Sequence, residues 1–212
     1  MSFIKRLKFV KKQLENDDIY TFYFRRPKNL IHKAGQHGLF LIAGLYRPHP
    51  FTISSSPDEE FITISTHTST GSRYKKKLMS MRDGDAVFLV GPVLGFTFSG
   101  TRNSYVFLTQ GIGITPFRSM LASAHSKSLP IKTTLIHVDG GEHSFRELTR
   151  RYATKAFYPT NSDEFRELVS QESPGQLFYI SGSPRFVRAT RGLLRQRGVE
   201  QDNVKTDSFF GY

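Results

Sequence analysis

The sequence predicts a two-domain protein, with an N-terminal antiparallel β-barrel over residues 1–99 and a C-terminal α/β domain with a parallel sheet over residues 100–212. Three observations carry this reading. Residues 3–98 hold a series of short alternating or apolar runs with one helical stretch among them. Beyond residue 104 such runs alternate with amphipathic stretches, the pattern of a parallel sheet covered on both faces. The small-polar segment SGTRNS at 99–104 lies between them.

The elements follow in order. FIKRLKFVKKQ, IYTFYFRR and GLFLIAG read as the first strands, and then come FTISSS (51–56), FITISTHT and AVFLVGP. Pro48, Pro50, Gly71, Gly84, Gly91 and Gly95 punctuate them. SRYKKKLMSM (72–81) reads as a helix. In the second half SYVFLTQ, KTTLIHVD, KAFYP, LFYISG and NVKTDSFF (203–210) read as strands, with helices expected over 116–127, 144–153, 163–171 and 184–197.

Composition narrows the function. The chain has 212 residues, 19 of them Phe and 9 Tyr, enough to build a packed core. It has no cysteine, which removes disulfides, thiolate catalysis and cysteine-held clusters from this chain. No apolar run approaches the roughly 20 residues of a membrane helix. The N-terminus MSFIKRLKFVKKQ lacks the apolar core of a signal peptide, so membrane insertion is not expected and a cytoplasmic location is. The formal net charge of +12 suits nucleic acid, an acidic protein or a phosphate-bearing ligand. The basic residues are dispersed and no nucleic-acid motif is present, which disfavours the first.

Two segments share one construction. VFLTQGIGITPFRSM reads as a buried strand, a glycine turn and a helix start. Gly111 and Gly113 allow close backbone approach, Thr115 is the expected cap, and Pro116 suits the first helical turn. LFYISGSPRFVRATRGLL repeats it, with Gly182, Ser183 as cap and Pro184. Free N–H groups at such helix starts suit a pyrophosphate, and ligands bind parallel sheets at this strand edge.

The ordered set HPFTIS, GPVLGFTF, GIGITP, SGSP and DSFFGY covers nearly the whole chain and resembles the ferredoxin–NADP⁺ reductase family of flavoenzymes, with the first motif most similar to the ferric reductase and NADPH oxidase branch. The resemblance implies a barrel that binds FAD and a second domain that binds NADH or NADPH. It places Phe51 against the isoalloxazine ring, the Thr52 hydroxyl at flavin N5, and His49 on the flavin phosphates or ribityl chain. Pro50 stiffens the turn, and Arg47 is expected to add the charge that a neutral histidine lacks. It implies that Ser65, Thr66 and His67 follow the ribityl and phosphate region, with an outward-facing strand position as the other reading of His67. Gly71, Ser72, Arg73 and Tyr74 would offer N–H groups to the pyrophosphate; the family favours Ser or Thr where Tyr74 stands. In the closing segment Phe210 or Tyr212 would cover the flavin, and Phe209 is assigned to the core. Ser181 stands where many relatives carry cysteine near the nicotinamide, so Thr52 and Ser181 are the expected catalytic pair.

The donor is left open. Asp139 suits a ribose 2′-hydroxyl and favours NADH, whereas Arg146, Arg150 and Arg151 could hold a 2′-phosphate. Arg185, Arg188, Arg191 and Arg195 form a stripe at helical spacing, either a solvated face or a docking face for an acidic electron carrier. The expected activity is transfer of a hydride from NAD(P)H to FAD and of electrons onward to a ferredoxin- or flavodoxin-like carrier, an oxygenase component or a ferric chelate. The alternative is a flavin- or nucleotide-binding regulatory module without turnover, suggested by His49, Tyr74 and Ser181.

Overall fold

The computed structural model describes residues 3–93, 95–98 and 102–209. The first half forms a six-stranded antiparallel sheet from β1 (Ile4–Asn16), β2 (Ile19–Arg25), β3 (His37–Ile42), β4 (His49–Thr52), β5 (Phe61–His67) and β6 (Ala86–Val93), ordered β4-β3-β6-β1-β2-β5. Helix α1 (Arg73–Met79) follows β5. The sheet curls, because its inward positions are large and fully buried: Leu7, Phe22, Phe24, Phe40, Ile62, Ile64, Val87 and Leu89 form one core. The end strands come together beyond β4, where Ser54 N donates to the Thr63 carbonyl at 2.9 Å and Thr63 N donates to Ser55 Oγ at 3.1 Å.

Strand β4 differs from the expected 51–56. It starts at His49 and stops at Thr52, pairing Pro50 with Leu39. Proline has no N–H to give a second neighbour, so it fits this outermost strand. The serines leave the ladder and turn inward. Ser54, Ser55 and Ser56 are each 1% exposed. Ser54 Oγ lies 2.8 Å from Thr63 Oγ1 and 3.1 Å from Ser65 Oγ, so hydroxyls satisfy one another where the ladder ends.

The second half is a parallel sheet of β7 (Ser104–Gln110), β8 (Lys132–Val138), β9 (Lys155–Phe157), β10 (Leu177–Gly182) and β11 (Val204–Ser208), ordered β11-β10-β7-β8-β9. Its helices are α2 (Thr115–Ser126), α3 (Arg146–Tyr152), α4 (Ser162–Ser170) and α5 (Pro184–Gln196). Tyr105, Phe107 and Tyr179 pack on one face with Phe117, Met120 and Leu121 of α2. Val106, Leu108 and Ile180 pack on the other with Phe165, Val169, Phe186 and Leu194.

The two sheets are fastened where the site forms. Arg118 of α2 reaches both carboxylate oxygens of Glu59, at 2.7 Å for Nη2–Oε1, and donates to the Ser54 carbonyl at 3.1 Å. Ser119 Oγ donates to the Ser55 carbonyl at 2.7 Å. The segment 54–59 is thus the hinge plate between β4 and the second sheet.

Candidate functional site

A cleft opens where the two sheets meet. His49, Pro50, Phe51 and Thr52 of β4, Ser65, Thr66 and His67 of β5, and Lys75 of α1 line one side. Ile112 and Thr115 of the glycine turn and Phe209 after β11 line the other. Seven residues expected at the flavin therefore share one cleft with Thr115 from the expected nucleotide turn.

The wall on the first sheet is aromatic. Tyr74 is 3% exposed, donates its hydroxyl to the Phe40 carbonyl at 2.9 Å, and lies behind the other rings, 4.0 Å from His49 and 5.7 Å from Phe51 between centroids. Burial pushes its hydroxyl well above the usual tyrosine range. Tyr74 therefore supports the wall from behind. Phe51 is half-buried, with one side against Phe40 and Tyr74, so a flat apolar ligand can stack on it.

Charge comes from a residue outside the motifs. Burial, and then the neighbouring Lys75, lower the His49 pKa, so its imidazole is neutral near pH 7. Lys75 itself is 7% exposed and lines the cleft. Burial lowers its pKa, and Asp18 opposes the shift. Its position in the first turn of α1, just after Tyr74, is the signal in the sequence that could have found it. Arg47 is exposed in the loop before β4 and is not among the cleft residues. Arg73 lies on the far side of α1, where it lines a basic hollow of about 350 Å³ with Lys76, Lys77 and the turn at Ala43 and Gly44. Ser72 caps α1 by accepting the Lys75 N–H, and Gly71 precedes it with φ +62°. His67 does not face freely outward: Nδ1 donates to Asp18 Oδ1 at 2.9 Å. Burial would raise the Asp18 pKa, but hydrogen bonds from Ser69 and His67 outweigh it and hold it at about 2.

Thr52 has a built environment. It is 4% exposed, and its Oγ1 lies 3.2 Å from Nε2 of His37, itself 4% exposed. The same Nε2 lies 3.2 Å from Asp207 Oδ2, yet the alignment satisfies Thr52 alone, and Asp207 Oδ2 is left buried without a donor. Phe209 stacks on His37 with centroids 5.6 Å apart. Phe209 is thus at the cleft and not in the core, because β11 ends at Ser208 and its next side chain turns toward β3. Phe210 and Tyr212 lie outside the described residues.

The glycine turns meet across the sheet. Gly111 to Ile114 form a 3-10 turn, with Gly111 at φ +54°. A Cβ on Gly113 would stand 2.6 Å from the Ser181 carbonyl, so only glycine lets the two turns touch. Thr115 does not cap α2: its hydroxyl bonds back to the Ile112 carbonyl at 3.2 Å, because the 3-10 turn already leads into the helix. Pro116 holds the first turn as expected. Ser183 does cap α5, accepting the Phe186 N–H at 3.2 Å, and Gly182 precedes it. Ser181 is fully buried, and its Oγ has no partner. Asp139, just past β8, lies near Gly111 and accepts the Gly141 N–H at 3.2 Å.

The arrangement fits a flavin. It offers an aromatic wall, hydroxyls at Thr52, Ser65 and Thr66, and one buried cation; the unpartnered atoms of Asp207 and Ser181, paired neighbours on β11 and β10, are buried outside its lining. A larger groove, about 710 Å³, lies elsewhere, between α5 and β11. Of the motif residues it holds only Pro184 and Ser208, and the smaller cleft is the better candidate because both sheets supply its motif residues.

A family model described as FAD-binding domain matches residues 4–139. The flavohemoprotein of Pseudomonas aeruginosa is 29% identical over 150 residues, covering 68% of this chain and 38% of its own length. One component of the Na(+)-translocating NADH-quinone reductase of Actinobacillus pleuropneumoniae is 26% identical over 161 residues, covering 63% and 39%. The chain spans less than two thirds of these curated relatives. Among solved structures, a ferredoxin NADP+ reductase from Neisseria gonorrhoeae with bound FAD and NADP superposes with TM-score 0.83 at 16% identity, covering 99% of this chain and 100% of that one.

Proposed function

The chain belongs to the FAD-binding domain family, and from that premise we propose that it is a reductase in which NADH or NADPH reduces FAD held in the cleft and electrons pass to a separate acceptor. One observation carries the reading: Phe51 and Thr52 of the first sheet face Ile112, Thr115 and Phe209 of the second across one cleft. Hydride transfer needs donor and acceptor atoms about 3–3.5 Å apart, and a cleft walled by both sheets brings residues of each domain to one place.

The residues then take these roles. Phe51 is the apolar floor for the ring and Thr52 the hydroxyl at N5. Ser65, Thr66 and His67 follow the ribityl chain, with His49 and Lys75 beside it. Gly71, Ser72 and Arg73 lead toward the phosphates and the basic hollow behind α1. The Gly111–Thr115 turn, with Gly113 and Pro116, takes the donor's pyrophosphate, while Ser181, Gly182 and Ser183 border the nicotinamide. Asp139 takes the ribose. When bound, FAD supplies the redox chemistry, so the protein needs only to bind, orient and exclude water.

We place the division between the two domains at residues 99 and 100, and we propose from the first motif a place nearest the ferric reductase and NADPH oxidase branch. The relatives' names point to haem, quinone and ferredoxin as partners. For this chain the acceptor is proposed as a class: an acidic ferredoxin- or flavodoxin-like carrier, an oxygenase component or a ferric chelate. No helix among the described residues is long and apolar enough to cross a membrane, and a cytoplasmic location is proposed.

The test is an anaerobic titration of FAD-loaded protein with NADH and NADPH in parallel, following flavin absorbance. Stoichiometric bleaching by either supports the reading. A protein that takes up no FAD sinks it, and bound FAD that stays oxidised with both donors turns the reading to a non-turnover binding module.

A further inference from the structure

The turn joining β1 to β2 belongs to the first sheet, yet it is built onto the nucleotide side of the second. Asn16 is 6% exposed. Its Oδ1 accepts a hydrogen bond from Ser144 Oγ at 3.1 Å, and its Nδ2 donates to the Glu142 carbonyl. Asp18, two residues on, is held by the Ser69 N–H at 3.0 Å and by His67. Asp17 sits between these anchors with φ +35°. Its Oδ2 lies 3.5 Å from where a Cβ on Gly141 would be. Gly141 N–H donates to Asp139 Oδ1, and Asp139 Oδ2 lies 3.8 Å from the Cβ position of Gly111. Asp139 therefore stands beside the glycine turn and holds Gly141, and Asp17 stands beside Gly141.

The end of the second strand of a dinucleotide-binding sheet is where the adenosine ribose rests. Here that end carries Asp139 from one sheet and Asp17 from the other. Of the three arginines nearby in sequence, Arg146 lies over the Tyr158 ring at 5.0 Å and Arg151 over the Tyr152 ring at 5.8 Å, and Arg150 is exposed on α3. We infer that Asp17 is a specificity-determining residue for the donor, closing the ribose site from the first sheet and, with Asp139, rejecting a 2′-phosphate, so that NADH is taken in preference to NADPH. This rests on the donor site proposed above. The burial of Asn16 has its explanation here: it fixes a carboxylate of the flavin half against the donor loop.

Calorimetry on FAD-loaded protein tests this without turnover, using 5′-AMP and adenosine 2′,5′-bisphosphate. The wild type is expected to bind 5′-AMP more tightly by about tenfold, the difference shrinking as salt rises. Asp17→Asn is expected to cut that ratio by about threefold or more while leaving 5′-AMP affinity unchanged. Asn16→Ala, which frees the turn without removing a charge, should move the ratio the same way. Glu142→Gln, whose contact is through its backbone carbonyl, should leave it alone. Thermal unfolding confirms that each variant is folded. An unchanged ratio in both Asp17→Asn and Asn16→Ala, or tighter wild-type binding of the bisphosphate, overturns the inference and leaves the donor site standing. Failure of the wild type to bind either nucleotide removes the donor site, and the inference with it.

Discussion

His37 on β3 and Asp207 on β11 meet across the two sheets with Nε2 3.2 Å from Oδ2, and the same nitrogen bonds to Thr52. A hydroxyl proposed to sit at flavin N5 is thus oriented by an imidazole and backed by a buried carboxylate. His37→Phe removes the partner that orients Thr52. Reduction of bound FAD by the preferred donor is expected to slow by about tenfold, with FAD affinity and thermal midpoint little changed. Anaerobic stopped-flow absorbance measures this. An unchanged rate with Thr52→Val slowed would show that His37 does not orient the hydroxyl.

Lys75 and Arg47 separate by the same kind of experiment. Lys75 lines the cleft and Arg47 does not. Lys75→Met should weaken FAD binding by about tenfold, the value of one charge-assisted contact. Arg47→Ala should leave it within about twofold, as for a solvated charge. Flavin fluorescence during dilution reads both.

Phe51→Ala removes the floor while Tyr74 and Phe40 remain. Loss of a stacked ring is expected to weaken FAD binding by about 1–2 kcal/mol, roughly a factor of ten. The Tyr74→Phe variant lacks only the bond to the Phe40 carbonyl. It should lower stability by about 1 kcal/mol with flavin affinity retained.

The first motif is legible in the sequence because an aromatic and a hydroxyl beside prolines already suggest a ring site, and the residues fall in one cleft. The strand–helix alternation likewise announces the parallel sheet. What the sequence hides depends on distant partners. His37 and Asp207 gain meaning only when β3 and β11 are brought together. Lys75 sits in a run of lysines that reads as solvated surface. The buried serines after Thr52 look like strand, and only the closing of the first sheet and the docking of Arg118 explain them. Thr115 misses its expected role because a 3-10 turn precedes the helix, a detail of backbone geometry that residue type does not announce.

Acid should destabilise the fold through two buried histidines. Burial, offset in part by the Ser55 carbonyl, lowers the His32 pKa to about 4. Burial, and then the neighbouring His143, lowers that of His137 to about 3. Both would titrate near 6.5 in the unfolded chain. Between those values the unfolded state binds protons that the folded state refuses, so stability rises with pH. It is complete above 6.5 and falls below it, toward 4 for His32 and 3 for His137. Each group contributes a slope of up to about 1.4 kcal/mol per pH unit inside its window. Urea midpoints at several pH values measure it, and His32→Asn should flatten the curve.

Glu59→Ala should cost about 1–3 kcal/mol, since it strips Arg118 of its bidentate partner where the sheets join. Chemical unfolding gives the value. A loss no larger than that of Asp163→Ala, whose pairing with Arg166 is exposed, would mean that the junction is held by the serine contacts.

The groove between α5 and β11 has a consequence for how copies of the chain meet. β11 is the outermost strand of its sheet, and such edges tend to recruit a second strand. Arg188, Arg191 and Arg195 stand along that border with no carboxylate among the groove's residues. Two molecules approaching edge to edge would bring both rows of guanidinium groups together, and their repulsion keeps the borders apart. Self-association along this edge is therefore expected to rise with ionic strength, as the repulsion is screened.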